Sequence, residues 1–397
     1  MTNLQVDRSH TLVIANLLAC NSIAAHARQL DSTIRALRSS FQEVYAICAV
    51  EGCEKTGTLA QLSRDYAAQG IRLYGFPLWS KPLRLLYLLM VLSWLRLKLW
   101  LRRRDALLFT RSTYIGALAT LFGWRVSVEL HEMPCMDSVP ARWLHRLMFN
   151  RANNIVCISP GIRQQLLREN GGLSELSNRI VVAPLGLSKV TASSLQGARA
   201  DVCDSCIAEW AAACSHNKLL YTGSLHKLDS EEFSRFICQF EDVVLLVIGG
   251  NERQWTEVVT RRGVVDHVGI RLFHIPHTRD ESVLEQAREI AEAFLLTNPK
   301  TLKYARYTSP LKLFEYARKE KPVFLIGLSD FLDGLRHTEG IINLGMMNTN
   351  LDVCLASLIR DNKDSAQAAF RRFCYLYSSE NRIRTISNGL LQSVKGN

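Results

Sequence analysis

Short apolar segments alternate with amphipathic segments along almost the whole chain. The apolar segments are four to eight residues long, as buried strands usually are. Amphipathic segments with helical spacing lie between them, for example at Ala24–Ser39 and Arg142–Arg151. This alternation predicts an α/β fold with doubly wound parallel sheets. The predicted strands are Thr11–Leu18, Glu43–Val50, Ile71–Phe76, Ala106–Thr110, Arg125–Leu130, Ile155–Ile158, Ile180–Pro184, Lys218–Thr222, Val243–Ile248, Arg271–Ile275, Ala291–Thr297, Val323–Ile326 and Gly340–Leu344.

The alternation is interrupted at residues 188–214, where Ser, Ala, Gly and Asp are frequent. Seven predicted strands precede this segment and six follow it. At 397 residues the chain is also long for a single core. We therefore expect two Rossmann-like domains, at residues 1–190 and 215–365, joined by a linker. The tail at Ser365–Val394 is predicted to be helical, so residues 366–397 form a separate C-terminal segment.

The composition is that of a folded protein, with 48% hydrophobic and 21% charged residues. The formal net charge of +11 predicts an anionic partner, which is a membrane surface, a nucleic acid or a phosphorylated substrate. The sequence contains no nucleic-acid-binding module, so we expect no nucleic acid partner.

The 11 cysteines are scattered, and the N-terminus lacks the features of a secretory leader, so we expect reduced thiols and a cytoplasmic protein. The lone pair Cys203 and Cys206, with Cys214 nearby, falls in the predicted linker. A zinc site would need further ligands at suitable spacing. We therefore interpret these cysteines as structural or incidental.

The segment 308–322 has the features of a capped helix that leads into a strand. Ser309 is a good N-cap, and Pro310 suits the first helical position because its missing N–H is not needed there. The free N–H groups of such a helix start can bind a phosphate. Glu315 follows about one and a half turns later, where its carboxylate can accept hydrogen bonds from ribose hydroxyls. Alone, these features also fit an ordinary amphipathic helix.

Three more strand ends in the second half carry candidate binding residues. Gly223 ends the first strand of this half, and it lets backbone N–H groups approach a phosphate. The next strand ends at Gly249 and Gly250, and the third is followed by His277. An ordinary βα turn, a plain loop and a surface histidine are the alternatives at these places.

Together these segments resemble the donor site of retaining glycosyltransferases of the GT-B type, family 4 in particular. The resemblance implies two Rossmann-like domains facing across a cleft, with a C-terminal helix that crosses back to the first domain. It also implies a UDP- or GDP-linked sugar as substrate, no cofactor and no metal. The donor-binding residues that it implies are Gly223, Ser224, Lys227, Gly249, His277, Tyr307, Ser309, Pro310, Leu311, Lys312 and Glu315.

The chain departs from the family pattern at two positions. The family has two glutamates eight positions apart, and Tyr307 stands where the first is expected. Asp229 stands where the family usually has a lysine, so the cationic role would pass to Lys227 or be lost. A non-catalytic partner subunit and a nucleotide-sugar epimerase of the same fold are therefore alternatives to a transferase.

Polar residues follow two strands of the first half, and ligands bind outside the carboxyl ends of such strands. His131 and Glu132 are the candidate catalytic residues near the reacting carbon or the acceptor. Arg111 either binds an anionic acceptor or forms an ion pair with Glu129 or Glu132.

Residues 81–104 contain seven basic side chains and no acidic one. Their uncharged stretch, Leu85–Leu95, is too short to span a bilayer. Tryptophans flanked by Arg and Lys favour an interfacial helix on an anionic membrane, and a buried helix with charged ends is the alternative. We thus expect a cytoplasmic glycosyltransferase, peripheral on the inner face of the plasma membrane. Its acceptor would be a glycan or a lipid-linked hydroxyl in surface polysaccharide, glycolipid or lipopolysaccharide synthesis.

Overall fold

The computed structural model describes residues 10–20, 25–53, 57–134, 138–169, 174–184, 200–213, 217–240, 243–263, 271–278, 280–301, 311–344 and 354–395. The chain forms two compact units. Unit 1 consists of Met1–Ser188 together with Ser379–Asn397, and unit 2 consists of Lys189–Ser378.

Each unit contains one parallel sheet, as the α/β pattern predicts. The strands are β1 (Thr11–Ala19), β2 (Glu43–Ala49), β3 (Ile71–Phe76), β4 (Ala106–Thr110), β5 (Arg125–Leu130), β6 (Asn154–Cys157), β7 (Ile180–Val182), β8 (Lys218–Thr222), β9 (Val244–Ile248), β10 (Arg271–Ile275), β11 (Ala293–Asn298), β12 (Val323–Gly327) and β13 (Ile341–Asn343). All thirteen predicted strands are present, with ends within two residues of the prediction.

Helices connect the strands. They are α1 (Ala25–Leu37), α2 (Thr58–Ala67), α3 (Lys81–Leu101), α4 (Thr113–Leu121), α5 (Val139–Arg151), α6 (Pro160–Glu169), α7 (Ser174–Arg179), α8 (Ala200–Ala212), α9 (Glu231–Gln239), α10 (Glu252–Arg261), α11 (Glu281–Ile290), α12 (Leu311–Ala317), α13 (Leu355–Leu376) and α14 (Ser379–Lys395). Among the described residues, no helix is both long and apolar enough to cross a membrane.

The strand order of both sheets contains one reversal. In unit 1 the order is β3-β2-β1-β4-β5-β6-β7, and in unit 2 it is β10-β9-β8-β11-β12-β13. In unit 1, successive strands are added on one side of β1 as far as β3 and on its other side from β4 onwards. In unit 2 the same switch occurs at β8, between β10 and β11. Ligands of such sheets bind at the carboxyl ends of the strands next to this switch.

Helices cover both faces of the unit 1 sheet. On one face, α1, α2 and α14 pack against the apolar side chains of β1 and β2. On the other face, α3 and α4 contribute Leu88, Leu92, Leu95, Leu99 and Ile115. The strands are buried on both faces, which explains why they are continuous apolar runs in the sequence.

The tail differs from the sequence prediction of a single helix at Ser365–Val394. The structure contains two helices, and α13 ends at Leu376 within unit 2. Helix α14 belongs to unit 1, where Ile386 and Leu390 are buried in the same core as Leu30 of α1. Arg382 and Ser387 of α14 are buried as well, and these polar contacts had no signal in the local sequence.

The predicted linker is also partly wrong. Residues 200–212 form helix α8, which carries Cys203 and Cys206, and Cys206 Sγ donates to the carbonyl of His274 at 3.7 Å. The helix packs against β9, β10 and α11, and it buries Ile207 and Trp210. Its alanine-rich sequence favours a helix, and these two apolar residues at helical spacing bury one side of it. Residues 185–199 lie outside the described part of the chain.

Candidate functional site

The turns after β8 and β9 of unit 2 approach each other very closely. The N–H of Gly223 donates to the carbonyl of Ile248 at 3.0 Å, and the N–H of Gly249 donates to the carbonyl of Ile275 at 3.0 Å. A Cβ atom on Gly249 would lie 1.9 Å from the Gly223 carbonyl oxygen, and its φ of +155° is in the range that favours glycine. Only glycine therefore fits at position 249.

Helix α12 is anchored to the end of β8 by Tyr316. The backbone N–H of Thr222 donates to the Tyr316 hydroxyl at 2.9 Å, and the Thr222 hydroxyl lies 3.1 Å from the same oxygen. The Tyr316 ring stacks on Phe294 of β11 at 4.4 Å, and burial raises the pKa of Tyr316 to about 12. Two residues that are 94 positions apart in sequence thus join α12 to the strand that ends at the Gly223 turn.

The exposed side of α12 carries two charged candidates. Lys312 Nζ lies 2.9 Å from Glu315 Oε2, and the same oxygen lies 3.4 Å from Nη2 of Arg288 on α11. The Glu315 side chain keeps 33% of its surface exposed. Two cations therefore orient a carboxylate that remains accessible to a ligand.

Lys227 follows the Gly223 turn, and its ammonium group lies in positive surroundings. Burial, followed by the positive charge of Lys312, lowers the pKa of Lys227. The positive charge of Lys312 thus disfavours the charged form of Lys227, and a bound anion would offset this effect. Ser224 is exposed, and its carbonyl accepts a hydrogen bond from the Tyr221 hydroxyl at 2.9 Å.

Asp229, which replaces the expected lysine, is neutralised by arginines from the end of α10. Arg262 Nε lies 2.8 Å from Asp229 Oδ1, and Arg261 contacts Asp229 Oδ2. The departure therefore does not add an uncompensated negative charge to this edge of the sheet.

Two histidines lie at the end of β10, and they differ in their contacts. The side chain of His277 is exposed, while its backbone N–H donates to the carbonyl of Gly250 at 2.7 Å. His274 was not singled out in the sequence. Its Nε2 donates to the carbonyl of Gly249 at 2.8 Å, its ring stacks on Trp255, and burial lowers its pKa. His274 thus supports the glycine turn through its carbonyl.

The remaining donor-site predictions fall outside the described residues. They concern Tyr307, Ser309 and Pro310, whereas Leu311 is the first residue of α12. The phosphate-binding helix start therefore stays a prediction.

Unit 1 has a buried cluster of charges centred on Glu129 of β5. Arg111 Nε lies 3.1 Å from Glu129 Oε1, and Arg382 Nη2 lies 2.8 Å from Glu129 Oε2. His131 Nε2 contacts Glu129 Oε1 as well. Thr33 of α1 accepts hydrogen bonds from both arginines through its hydroxyl, at 3.3 and 3.5 Å. Two strand-end residues and one residue of α14 thus meet at one carboxylate, and Thr33 of α1 contacts both arginines.

The charges of this cluster compensate one another. Burial alone would raise the pKa of Glu129, but Arg111, Arg382 and His131 outweigh it and hold that pKa well below its usual range. Burial lowers the pKa of His131 despite the neighbouring carboxylate. A neutral imidazole that contacts a carboxylate through Nε2 carries its proton there, which leaves Nδ1 as the basic nitrogen.

These contacts show the ion-pair interpretation of Arg111, and its acceptor-binding role stays a prediction. Its side chain is 4% exposed, and it forms the ion pair with Glu129 that the sequence left as an alternative to acceptor binding. His131 keeps 18% of its side chain exposed, and Glu132 is exposed.

Sequence reasoning named Glu129 only as one of two possible ion-pair partners of Arg111, and it missed Arg382. A glutamate inside an apolar strand was a usable signal for the first, because a buried charge needs a partner. No local signal indicates the second, which is 253 positions away.

Within the described residues, no group of three or more His, Cys, Asp or Glu side chains has a metal-binding arrangement. The polar groups of each unit lie instead at the carboxyl edges of the sheets. In unit 2 they include the ammonium groups of Lys227 and Lys312, which are donors that can bind an anion. In unit 1 they are the imidazole of His131, which contacts Glu129, and the Glu129 carboxylate, whose negative charge is balanced by two arginines.

Comparison with known proteins agrees with this architecture. Residues 25–186 match the sequence family described as a glycosyl transferase 4-like domain. No curated protein matches the chain significantly.

Several solved structures share the fold. A glycosyltransferase from Rickettsia africae ESF-5 has a TM-score of 0.62 at 14% identity, covering 98% of this chain and 100% of that one. Anabaena Alr3699/HepE in complex with UDP has a TM-score of 0.60 at 12% identity, covering 98% and 100%. The lipopolysaccharide outer core galactosyltransferase WaaB has a TM-score of 0.56 at 12% identity, covering 96% and 99%. At these identities the likeness establishes the fold, which is the GT-B fold of two Rossmann-like domains. With the match of residues 25–186, it supports a glycosyltransferase.

Proposed function

We propose that this protein is a retaining, metal-independent glycosyltransferase that moves a sugar from a UDP- or GDP-linked donor to a hydroxyl acceptor. The observation that carries the proposal is the anchoring of α12 to β8. The hydrogen bond between Tyr316 and Thr222 holds α12 at the end of β8. Glu315 and Lys312 of α12 are thereby fixed next to the turn that follows β8, which carries Gly223 and Lys227. The glycine turn and the charged helix therefore act as one unit.

The donor would be bound at the carboxyl edge of the unit 2 sheet. Lys227 and Lys312 would stabilise the diphosphate, with Ser224 and the turns at Gly223 and Gly249 bordering it. Glu315 would accept hydrogen bonds from the ribose hydroxyls. Additional contacts are proposed for His277 and for the residues outside the described part, Tyr307, Ser309 and Pro310. Leu311 would contribute its backbone N–H to the helix start.

The proposed donor class has support from one structural neighbour. Alr3699/HepE was solved with UDP and also with UDP and glucose. In this chain the adjacent ammonium groups of Lys227 and Lys312 favour a dianionic ligand over a neutral one.

In a retaining transfer, the acceptor hydroxyl attacks on the face from which the diphosphate leaves. The C–O bond to the acceptor forms as the C–O bond to the diphosphate breaks, and we propose that a diphosphate oxygen takes the acceptor's proton. The two lysines stabilise the charge that develops on the leaving group, a role that a metal ion has in other enzymes. His131, oriented by Glu129, would lie by the sugar or the acceptor, with Glu132 next to it.

We propose a glycan or lipid-linked acceptor in surface polysaccharide or lipopolysaccharide synthesis, a pathway that WaaB's name indicates for that neighbour. The protein would act at the cytoplasmic face of the membrane, with residues 81–104 in contact with it. We propose that Arg111, whose guanidinium is paired with Glu129, also borders the acceptor.

Calorimetric titration with UDP, GDP, ADP and CMP tests the donor site. We expect selective binding of one diphosphate. The Glu315→Gln variant should bind it about ten- to a hundred-fold more weakly, since a charge-assisted hydrogen bond contributes about 1.5–3 kcal/mol. Glu257→Gln is the matched control, because Glu257 lies on α10 and forms an exposed ion pair with Arg253 on the same helix.

The same samples distinguish the alternatives. A folded protein that binds no nucleotide would indicate the non-catalytic partner subunit. Conversion of the donor in the absence of any acceptor would indicate the epimerase. With an acceptor present, NMR of the product should show the anomeric configuration of the donor, and chelation of divalent cations should leave the rate unchanged.

A further inference from the structure

Helix α3 has two apolar stripes, and the fold uses only one of them. The inner stripe is buried to 2% exposure or less, and it consists of Leu88, Leu92, Leu95 and Leu99. The outer stripe has the same spacing of three and four residues, but its side chains are 48–67% exposed. The outer stripe is Leu83, Leu86, Met90, Trp94, Leu97 and Leu101.

The two stripes lie on nearly opposite sides of the helix, because an α-helix turns about 100° per residue. A helix at the surface of a water-soluble unit needs one apolar side. The sequence left a buried helix with charged ends as the alternative for this segment. The exposure of the outer stripe excludes that alternative, and it leaves an apolar surface that the fold itself does not require.

The exposed apolar surface extends beyond α3. Helix α4 lies between α3 and α5 in the same layer, and it packs against both. Fourteen of the sixteen exposed large apolar side chains in the described part of the chain lie between residues 78 and 143. The contributions from α4 and α5 and from their ends are Tyr114, Leu121, Phe122, Val139 and Trp143. Exposed apolar residues are normally scattered over a protein surface, so it is unusual that these side chains are grouped on one layer of helices.

The charge of this layer is entirely positive. The sequences of α3, α4 and α5 contain no Asp or Glu, and they contain seven basic residues, namely Lys81, Arg84, Arg96, Lys98, Arg142, Arg146 and Arg151. Lys98 Nζ lies 4.6 Å from the Trp94 ring centroid, and Arg96 lies 5.8 Å from that of Trp124. From the helical spacing, Lys98 and Arg96 border the outer stripe on its two sides.

We propose that the α3–α5 layer docks on an anionic lipid bilayer, with α3 lying parallel to the membrane surface. Apolar side chains would enter the acyl boundary while the bordering Lys and Arg contact the lipid phosphates. The outer stripe is about 27 Å long, from about 18 residues at 1.5 Å each, and so it offers a line of insertion along the surface. Helices that carry basic residues and no acidic ones match an anionic surface better than the mixed charges of a protein partner. The inference rests on and extends the membrane contact of the proposed function, and it depends on unit 1 and not on the donor site.

Vesicle flotation of the full chain tests the proposal. At low salt we expect binding to phosphatidylcholine vesicles that contain phosphatidylglycerol, and at least about ten-fold weaker binding to phosphatidylcholine alone or in high salt. The double variant Leu86→Ser and Trp94→Ser should weaken binding to the anionic vesicles by about ten-fold or more. Tyr375→Ser is the matched control, because Tyr375 is 79% exposed on α13 of unit 2.

Two further variants test the extent and the charge of the surface. Trp143→Ser should weaken binding several-fold if α5 belongs to the surface, and full binding would restrict the surface to α3 and overturn the three-helix proposal. Arg96→Gln with Lys98→Gln should weaken binding and lower its salt dependence. Arg235→Gln with Arg253→Gln is the charge-matched control on exposed helices of unit 2.

Other outcomes would overturn the proposal. The wild type would contradict it by failing to float with anionic vesicles, or by floating equally with both kinds. If light scattering without lipid shows a dimer that Leu86→Ser with Trp94→Ser dissociates, the occupant of the surface is a second copy of this chain. Nucleotide titration of the same variants gives a separate readout, so failure of membrane binding is distinguishable from failure of the donor site.

Discussion

At the residue scale, Gly249 shows how tightly the candidate donor site is built. The carbonyl oxygen of Gly223 occupies the space where a Cβ of residue 249 would lie. The backbones of residues 223 and 249 are therefore in direct contact where the ends of β8 and β9 converge, with no side chain between them. The N–H groups of Gly223 and Gly249 donate to the carbonyls of Ile248 and Ile275, which holds the ends of β8, β9 and β10 together.

Gly249→Ala should lower the free energy of unfolding by about 2–5 kcal/mol and abolish measurable nucleotide binding, because the clash is with backbone and the φ angle is strained. Chemical denaturation and calorimetry measure the two effects. Gly263→Ala is the control, since Gly263 has a φ of +64° but a Cβ at this position would have no atom within 4 Å. The Gly263→Ala variant should lower the free energy of unfolding by about 1 kcal/mol and keep its affinity for the nucleotide. Equal effects of the two substitutions would contradict this account.

Glu129 is the second residue whose surroundings dictate a measurable property. Its pKa in the folded state is well below the value of about 4.3 for an unfolded chain. As the pH falls, the unfolded state therefore binds the proton first. The stability that Glu129 contributes is fully present above about pH 4.3 and is lost as the pH falls towards its folded-state pKa.

We expect Glu129→Gln to lower the free energy of unfolding at pH 7 by about 3–5 kcal/mol, since Arg111 and Arg382 lose the carboxylate that compensates their buried charges. The variant should also lack this part of the acid sensitivity below about pH 4.3. Denaturant titrations between neutral and acid pH measure both. Glu132→Gln, at an exposed position just beyond the same strand, should change stability by less than about 0.5 kcal/mol.

At the scale of elements, the hydroxyl of Tyr316 joins α12 to β8. Helix α12 has only seven described residues, so its position depends on tertiary contacts rather than on its own helical stability. The stacked ring of Phe294 fixes one side of Tyr316, and the hydrogen bonds to Thr222 fix its end.

Tyr316→Phe should lower the free energy of unfolding of unit 2 by about 1–3 kcal/mol, because it leaves the buried Thr222 N–H without its acceptor. Nucleotide affinity should fall several-fold as Lys312 and Glu315 lose their fixed position. Tyr377→Phe is the comparison, since its hydroxyl accepts from the Arg336 N–H in the same unit. That variant should lose stability without losing affinity, and the reverse pattern would argue against the role of Tyr316.

The sequence predicted the elements better than their contacts. All thirteen strands were predictable because each is a short run rich in apolar residues between polar segments, and most of these runs are buried. The helix α8 was not, because its small and polar residues resemble a linker until Trp210 and Ile207 are seen to pack in unit 2. The sequence could not determine the ion-pair partners of Glu129 for a similar reason. Partners that are distant in sequence leave no periodic signal.

At the scale of the whole molecule, unit 1 is discontinuous and unit 2 is not. Helix α14 supplies Arg382 to the charge cluster and Ile386 to the core of unit 1, although unit 2 precedes it in the chain. The two units should therefore respond separately to substitutions in α14.

Arg382→Met should destabilise unit 1 by about 3–5 kcal/mol, because Glu129 loses one of its two buried arginines. Amide hydrogen exchange should become faster in β4, β5 and β6 of unit 1. In unit 2, β8, β9 and β11 should keep their protection against exchange, and the affinity for UDP should be unchanged. Arg384→Met is the control two residues along the same helix, where the side chain is exposed. Faster exchange throughout both sheets would show that the units do not unfold independently.

The discontinuity of unit 1 has a consequence during synthesis on the ribosome. The seven strands of its sheet are translated first, but the arginine that completes the charge pairing around Glu129 belongs to α14. At about 5–20 residues per second, translating the intervening Lys189–Ser378 takes roughly 10–40 s. During that interval the nascent N-terminal sheet exposes the apolar groove that α14 will fill. A chaperone that binds nascent chains would meet this groove before the helix does, whereas unit 2 is complete as soon as its last helix emerges.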